Sequence, residues 1–351
     1  MYTLTDKIKN LVPYEPISGT YEVRLDANEC PDNLPDNIRE EIKAEIGRLA
    51  FNRYPDPMAT AVVEAFASYY GIDPALVTAG NGSDELIFLI EAAFLEKGDK
   101  MLVVSPDFSM YNFYSSICEV ECESFIKNDD LDIDVDALIR KINNDGIKLV
   151  MFSNPCNPTG RGITADEARR LVTSVDALVI LDEAYMDFWD QSLLDEVEKY
   201  SNLIIFRTAS KAVGSAALRL GFAVANETIS RAIKAVKSPY NVNSFSQTAG
   251  AVIYKNKEYL QNRQKTIVKN RETLYNGLVS LGKSQPDFTP IESVANFVFV
   301  RTSRAGEIFA YLKSKSIVVR LMGSYLRITA GTEQEVERVL YSIKEYFEVT
   351  A

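Results

Sequence analysis

The chain has 351 residues, 46% of them hydrophobic, and carries 38 Lys and Arg against 49 Asp and Glu, a net charge of −11. That acidic balance argues against a nucleic-acid or anionic-membrane surface, so any anionic ligand needs locally placed donors. The sequence contains no histidine, which excludes Ser-His-Asp and Cys-His hydrolysis and the usual histidine-bearing metal sites; acid–base chemistry must come from Lys, Tyr, Asp, Glu or Cys, or be shared with a cofactor.

The four cysteines, Cys30, Cys118, Cys122 and Cys156, form no CxxC pair and read as free thiols in a reducing compartment. The opening MYTLTDKIKN lacks the apolar segment of a secretory signal, and no apolar run reaches membrane-spanning length. A cytoplasmic protein is expected.

Up to about residue 53 the chain reads as irregular, with one helical segment near 37–49. From about 54 to 238, helices and short apolar strands alternate, which predicts βα units around a parallel sheet. Strands are predicted at 101–105, 148–153, 178–182, 203–208 and 222–225, and helices at 58–70, 84–95, 135–143 and 165–172. A long, mostly polar helical stretch follows at 244–281. Strands at 297–300, 317–320 and 325–328 and helices at 304–315 and 333–347 complete an α+β ending. The expected fold class is α/β: a large, mostly parallel, helix-covered domain at 51–264 and a smaller domain at 265–351. The arm at 1–50 is grouped with the smaller domain, or packs on a partner subunit.

In open parallel sheets, ligands bind beyond the carboxyl ends of the strands, so the residues after each strand carry the functional signal. After 203–207 come Thr208, Ala209, Ser210 and Lys211, then Gly214 and Arg219. A lysine partly desolvated at a strand end can form a Schiff base. Thr208 and Ser210 offer hydroxyls and Arg219 a bidentate clamp for phosphate. Taken alone, this Ser-Lys pair reads more simply as a solvated lysine at a helix start. After 178–181 come Asp182, Glu183, Ala184 and Tyr185. An acid that ends an apolar strand is costly to bury without a partner, and a protonated pyridinium nitrogen is one such partner. Magnesium is the competing reading, and the absence of a GxxxxGK[ST] loop weighs against it.

After 148–152 the run Ser153, Asn154, Pro155, Cys156, Asn157, Pro158, Thr159, Gly160 predicts a rigid loop, with Asn157 placed to donate to a phenolate-like oxygen. Gly80 to Glu85 precedes an apolar helix, where Ser83 or Asp84 reads first as an N-cap. The same geometry presents backbone N–H groups to a phosphate. After 101–104, Phe108 follows Ser105, Pro106 and Asp107, as a stacking ring or a core aromatic.

The segments NPCNPTG, DEAY and TASKAVGSAALRLG resemble the fold type I, aspartate aminotransferase-like enzymes that use pyridoxal phosphate (PLP), and the resemblance spans nearly the whole chain. Val12-Pro13-Tyr14, LDANE at 25–29, RYPDP at 53–57, SPYNVN at 238–243 and LRITAGT at 326–332 are similar to the histidinol-phosphate aminotransferase branch. The resemblance implies that Lys211 holds PLP as an internal aldimine and shuttles the proton, and that Asp182 pairs with the pyridine nitrogen. It implies that Asn157 and Tyr185 bind the phenolic oxygen and that Phe108 stacks on the ring. Ser83, Asp84, Ser210 and Arg219, with Thr208, would hold the cofactor phosphate, and Tyr54 would reach it from the other subunit of a homodimer. Arg327 would bind the α-carboxylate, Tyr14 and Arg320 the substrate phosphate, and Asn28 would line the entrance; no metal is implied.

The implied reaction is ping-pong transamination between glutamate or 2-oxoglutarate and histidinol phosphate or its keto partner. Threonine-phosphate decarboxylase, a broad aromatic aminotransferase, a non-catalytic PLP-binding protein and a cofactor-free α/β binding protein are the rivals. The family's Asn-Glu-Asn-Pro reads Asn28-Glu29-Cys30-Pro31 here, a departure that bears on the substrate rather than the cofactor.

Overall fold

The structure, a computed structural model, describes residues 2–13 and 15–350. Tyr14 therefore lies outside the described residues. In chain order the strands are β1 (Val23–Leu25), β2 (Val77–Asn81), β3 (Lys100–Ser105), β4 (Glu121–Ile126), β5 (Leu149–Ser153), β6 (Leu178–Asp182), β7 (Leu203–Thr208), β8 (Leu220–Ala225), β9 (Thr289–Ile291), β10 (Phe297–Arg301), β11 (Ile317–Met322) and β12 (Tyr325–Thr329).

The larger sheet has the order β2-β8-β7-β6-β5-β3-β4. Strands β4, β3, β5, β6 and β7 run parallel, while β8 lies antiparallel between β7 and β2. The central strands are apolar along their length because helices cover both faces, so every side chain meets a core. Alternation then sorts the side chains between two layers. Val150, Phe152, Val179, Leu181 and Ile205 pack with the helices Thr60–Tyr70, Val135–Asp145, Ala165–Thr173 and Ser244–Lys255. Leu149, Met151, Ile180, Ile204 and Phe206 pack with Leu86, Ile87 and Ile90 of the helix Ser83–Phe94 and with Ile229 and Ile233 of Glu227–Val236.

The smaller sheet, β1-β11-β12-β10-β9, is antiparallel except for β1, which runs parallel to β11. One of its faces rests on Leu274 and Leu278, Ile308 and Leu312, and Val336, Val339 and Ile343 from three helices. The chain before residue 53 is divided between the two bodies: β1 extends the small sheet, whereas Ile38 of the helix Asp36–Ile46 enters the larger core.

The helical stretch predicted over 244–281 consists of two helices, Ser244–Lys255 and Lys257–Gly282, separated at Asn256. The polar edge strand β4 lies outside the predicted strands; its sequence, ECESFI, lacks an apolar period and none of its residues is buried. Among the described residues no helix is long and apolar enough to cross a membrane.

Candidate active site

Because β5, β6 and β7 are parallel neighbours, their carboxyl ends finish together. Ser153 pairs in register with Asp182, and Asp182 with Phe206. Asp182, 5% exposed, accepts the Tyr111 hydroxyl at Oδ2 (2.8 Å) and the Ala184 N–H at Oδ1 (3.1 Å). Burial pushes its carboxyl up to about 6, against the opposing pull of those two donors. Glu183 has a different task. It pairs with the buried Arg207 (2.8 Å), which also pairs with Asp187 (2.9 Å), and the Tyr70 hydroxyl donates to Asp187 at 2.9 Å. The Asp-Glu dipeptide thus splits between the site and an ion cluster.

Tyr185, three residues beyond Asp182, is buried edge-on against Phe297, with ring centroids 5.3 Å apart. Its hydroxyl oxygen accepts from Asn28 Nδ2 at 2.9 Å. Asn28 was expected at the entrance, but it is 1% exposed and sits within the structure. The reason is its hydrogen bonding: Asn296 donates to its carbonyl, and Thr329 both donates to its side chain and accepts from its N–H, all at 3.1 Å. It adopts φ +54 to do so, a left-handed conformation that asparagine tolerates. Lys211 is half-buried; its Nζ donates to the Ala27 carbonyl at 3.0 Å and lies 5.8 Å from the Tyr185 ring centroid.

Asn157 bridges the two bodies. Its N–H donates to Ser153 Oγ at 3.0 Å, and its side-chain oxygen accepts from Arg327 Nη1 on β12. Arg327 is buried, donates through Nη2 to the Asp26 carbonyl (2.6 Å) and lies over the Phe297 ring at 5.5 Å. Arg320 stands directly opposite Arg327 in the β11–β12 ladder, so both arginines project from the same face.

A third group gathers at the start of the helix Ser83–Phe94. Arg219, in the left-handed region at φ +50, donates to Asp84 at 2.9 Å. Thr208 donates to Ser210 Oγ at 3.1 Å and accepts the Ser210 N–H at the same distance. Glycines make this approach possible. A Cβ on Gly221 would lie 2.4 Å from the Ser83 nitrogen, and one on Gly82 would lie 2.7 Å from Arg219 Nη2. The helix therefore begins with free N–H groups beside two hydroxyls and a guanidinium, a donor set suited to a phosphate. Phe108 sits edge-on to Tyr111 at 5.6 Å and 83°. Tyr54 joins none of these clusters within the chain; it stands 80% exposed, stacked on Tyr240 at 4.5 Å.

A family profile, aminotransferase class I and II, matches residues 21–343. The chain belongs to the class I and II aminotransferases. Among similar proteins, this aminotransferase is 39% identical to the histidinol-phosphate aminotransferase of Clostridium novyi over 342 residues, covering 96% of this chain and 95% of that one. It is 40% identical to histidinol-phosphate aminotransferase 1 of Carboxydothermus hydrogenoformans over 340 residues, 95% and 96% of the two chains. In fold it resembles the histidinol-phosphate aminotransferase of Sinorhizobium meliloti in complex with pyridoxal-5'-phosphate, with TM-score 0.88 and 22% identity over 99% and 98% of the chains.

Two parts of the candidate site carry no signal in the sequence reading. Tyr111, the hydroxyl donor to Asp182, lies in the amphipathic helix Met110–Cys118, where an aromatic reads as core. The backbone carbonyls of Asp26 and Ala27, which hold Arg327 and Lys211, carry no side-chain signal at all.

Proposed function

We propose that this aminotransferase uses pyridoxal phosphate to exchange an amino group between glutamate or 2-oxoglutarate and histidinol phosphate or its keto partner, forming histidinol phosphate from glutamate in the direction of histidine biosynthesis. The observation that carries the cofactor reading is the buried Asp182, which ends β6 with two neutral donors and a carboxyl raised to about 6. Such an acid is stabilised by a protonated ring nitrogen. The donor set around it fits the rest of that cofactor: hydroxyls, a guanidinium and a helix start for its phosphate, Asn157 and Tyr185 for its ring oxygen, and Phe108 for its face. The substrate reading follows the near-full-length likeness to histidinol-phosphate aminotransferases.

When bound, the cofactor supplies an electron sink that stabilises negative charge at the substrate Cα. The chain's own residues do the rest. Tyr111 fixes the Asp182 carboxylate. Asn28 donates to the Tyr185 oxygen, which leaves the Tyr185 hydroxyl proton available to a ligand oxygen. Lys211, tethered by the Ala27 carbonyl, is the amine that carries the proton at the substrate Cα; a chain without histidine has no more usual base. Arg327 and Arg320 place like charges opposite each other, an arrangement stabilised by an anion between or beside them. Arg327 serves the α-carboxylate with its planar fork, and Arg320 the substrate phosphate.

A homodimer is part of the proposal. Phe51, Tyr54, Met58, Tyr240 and Phe245 are large and exposed, and four of them pair as Phe51–Phe245 and Tyr54–Tyr240. An aromatic patch of that kind suits a second copy of the chain, with Tyr54 delivered to the partner's phosphate-binding residues. A cytoplasmic location fits the free thiols.

The test is a substrate panel with 2-oxoglutarate as acceptor: histidinol phosphate, phenylalanine and threonine phosphate. Glutamate formation should be fastest, at limiting substrate, with histidinol phosphate. Carbon dioxide released from threonine phosphate without an acceptor would overturn the reading.

A further inference from the structure

Asp107, in the turn after β3, has no place in the proposed chemistry, yet it joins two residues that do. Its Oδ1 accepts the Phe108 N–H at 2.7 Å and the Ser153 hydroxyl; its Oδ2 accepts the Ser153 N–H at 3.0 Å. Ser153 Oγ, in turn, accepts the Asn157 N–H at 3.0 Å. One carboxylate thus spans the loops that follow the neighbouring strands β3 and β5. The first loop carries Phe108 and the second carries Asn157.

The surroundings keep the carboxylate in place. Burial raises the Asp107 carboxyl, while the nearby charge of Lys127 and the Ser153 donors act in the opposite direction. Lys127 is itself buried, and its ammonium donates to the Pro106 carbonyl at 2.9 Å and the Cys156 sulfur at 2.8 Å. Those contacts hold the cation against the same two loops, on one side of Asp107 and on the residue before Asn157. Cys156 is 1% exposed, and burial raises its thiol, so it serves as a neutral acceptor for Lys127.

We propose that Asp107 is a positioning residue that sets Phe108 and Asn157 in register with each other, so that a planar cofactor meets a stacking ring on its face and an amide at its oxygen together. This rests on the roles proposed above for Phe108 and Asn157. A carboxylate is required because a single acceptor group must satisfy three donors, one in the loop after β3 and two on Ser153 at the end of β5, and charge-assisted bonds of this kind are the stronger class.

The test uses the full chain and compares wild type, Asp107→Ala, Asp107→Asn and Ser153→Ala. It measures PLP affinity by absorbance titration, the pH at which the bound cofactor's absorbance shifts, and the separate effects on kcat and KM. Asp107→Ala should weaken PLP binding roughly tenfold or more, the scale of one lost hydrogen bond to a charged group. The absorbance transition should move to higher pH as Asn157 drifts from the oxygen, and kcat should fall more than KM rises. Asp107→Asn keeps one acceptor and should lie between alanine and wild type. Ser153→Ala, a small change that preserves the fold, should reproduce part of the loss and add less than its full effect when combined with Asp107→Ala. Absence of saturable PLP binding by wild type would sink the proposed function, and the positioning role with it. Wild-type binding with unchanged affinity and absorbance in both Asp107→Asn and Ser153→Ala would overturn the positioning role alone.

Discussion

Replacing Asp182 with asparagine isolates what it costs the protein to hold this acid ready. Burial raises the Asp182 carboxyl from 3.8 to about 6, a differential of about 3 kcal/mol between its two protonation states. Its folded pKa lies above the unfolded value, so its contribution to stability is greatest in acid. That contribution falls as pH rises between 3.8 and about 6 and is level beyond that. Asparagine carries no charge to desolvate, but offers one acceptor to the two donors, the Tyr111 hydroxyl and the Ala184 N–H. The unmatched donor costs about 1 kcal/mol. Cofactor-free Asp182→Asn should therefore exceed wild type by about 2 kcal/mol at neutral pH and lose this part of the pH dependence. Denaturant unfolding of cofactor-free protein at a series of pH values measures both, and PLP titration of the same samples should show weaker binding by the variant. The reasoning is refuted if the variant is no more stable at neutral pH, or if its stability falls between pH 3.8 and about 6 as steeply as that of wild type.

Two further predictions follow from charges elsewhere in the fold. Glu91 is fully buried with neither carboxylate oxygen hydrogen-bonded, and burial pushes it up to about 8 from 4.5. Stability should therefore decline across that interval, by on the order of 5 kcal/mol in total. Glu91→Gln should flatten the decline in a series of melting temperatures against pH; an unchanged slope would mean that Glu91 is ionised in the folded state. Arg327→Ala should cost roughly 2–5 kcal/mol in kcat/KM for the amino donor, as expected when a buried carboxylate loses its partner. Unchanged steady-state kinetics would remove Arg327 from the substrate site.

The sequence made the central strands legible because β5, β6 and β7 are covered on both faces, and near-continuous apolar runs such as Leu178–Asp182 have few other readings. The strand-end residues were legible for a related reason: each motif places its chemistry immediately after an apolar run, so Asp182, Asn157 and Lys211 could be assigned to one end of the sheet. What escaped depends on pairing between distant segments. Strand β1 is three residues long and exists because β11 lies beside it. Asn28 looked like an entrance residue, and only the approach of Asn296 and Thr329 buries it. Tyr111 carried the period of a core helix, with nothing local to say that its hydroxyl would meet Asp182. The break at Asn256 has no glycine or proline beside it to mark it, and β4 was masked by the polarity of an edge strand.

The account rests most directly on Lys211. Protein incubated with PLP, reduced with borohydride and digested should carry a single pyridoxyl group, on the peptide that contains Lys211. Lys211→Ala should keep its fold, carry no label and form no glutamate from 2-oxoglutarate with histidinol phosphate. A label on another lysine, or turnover by Lys211→Ala, would contradict the account.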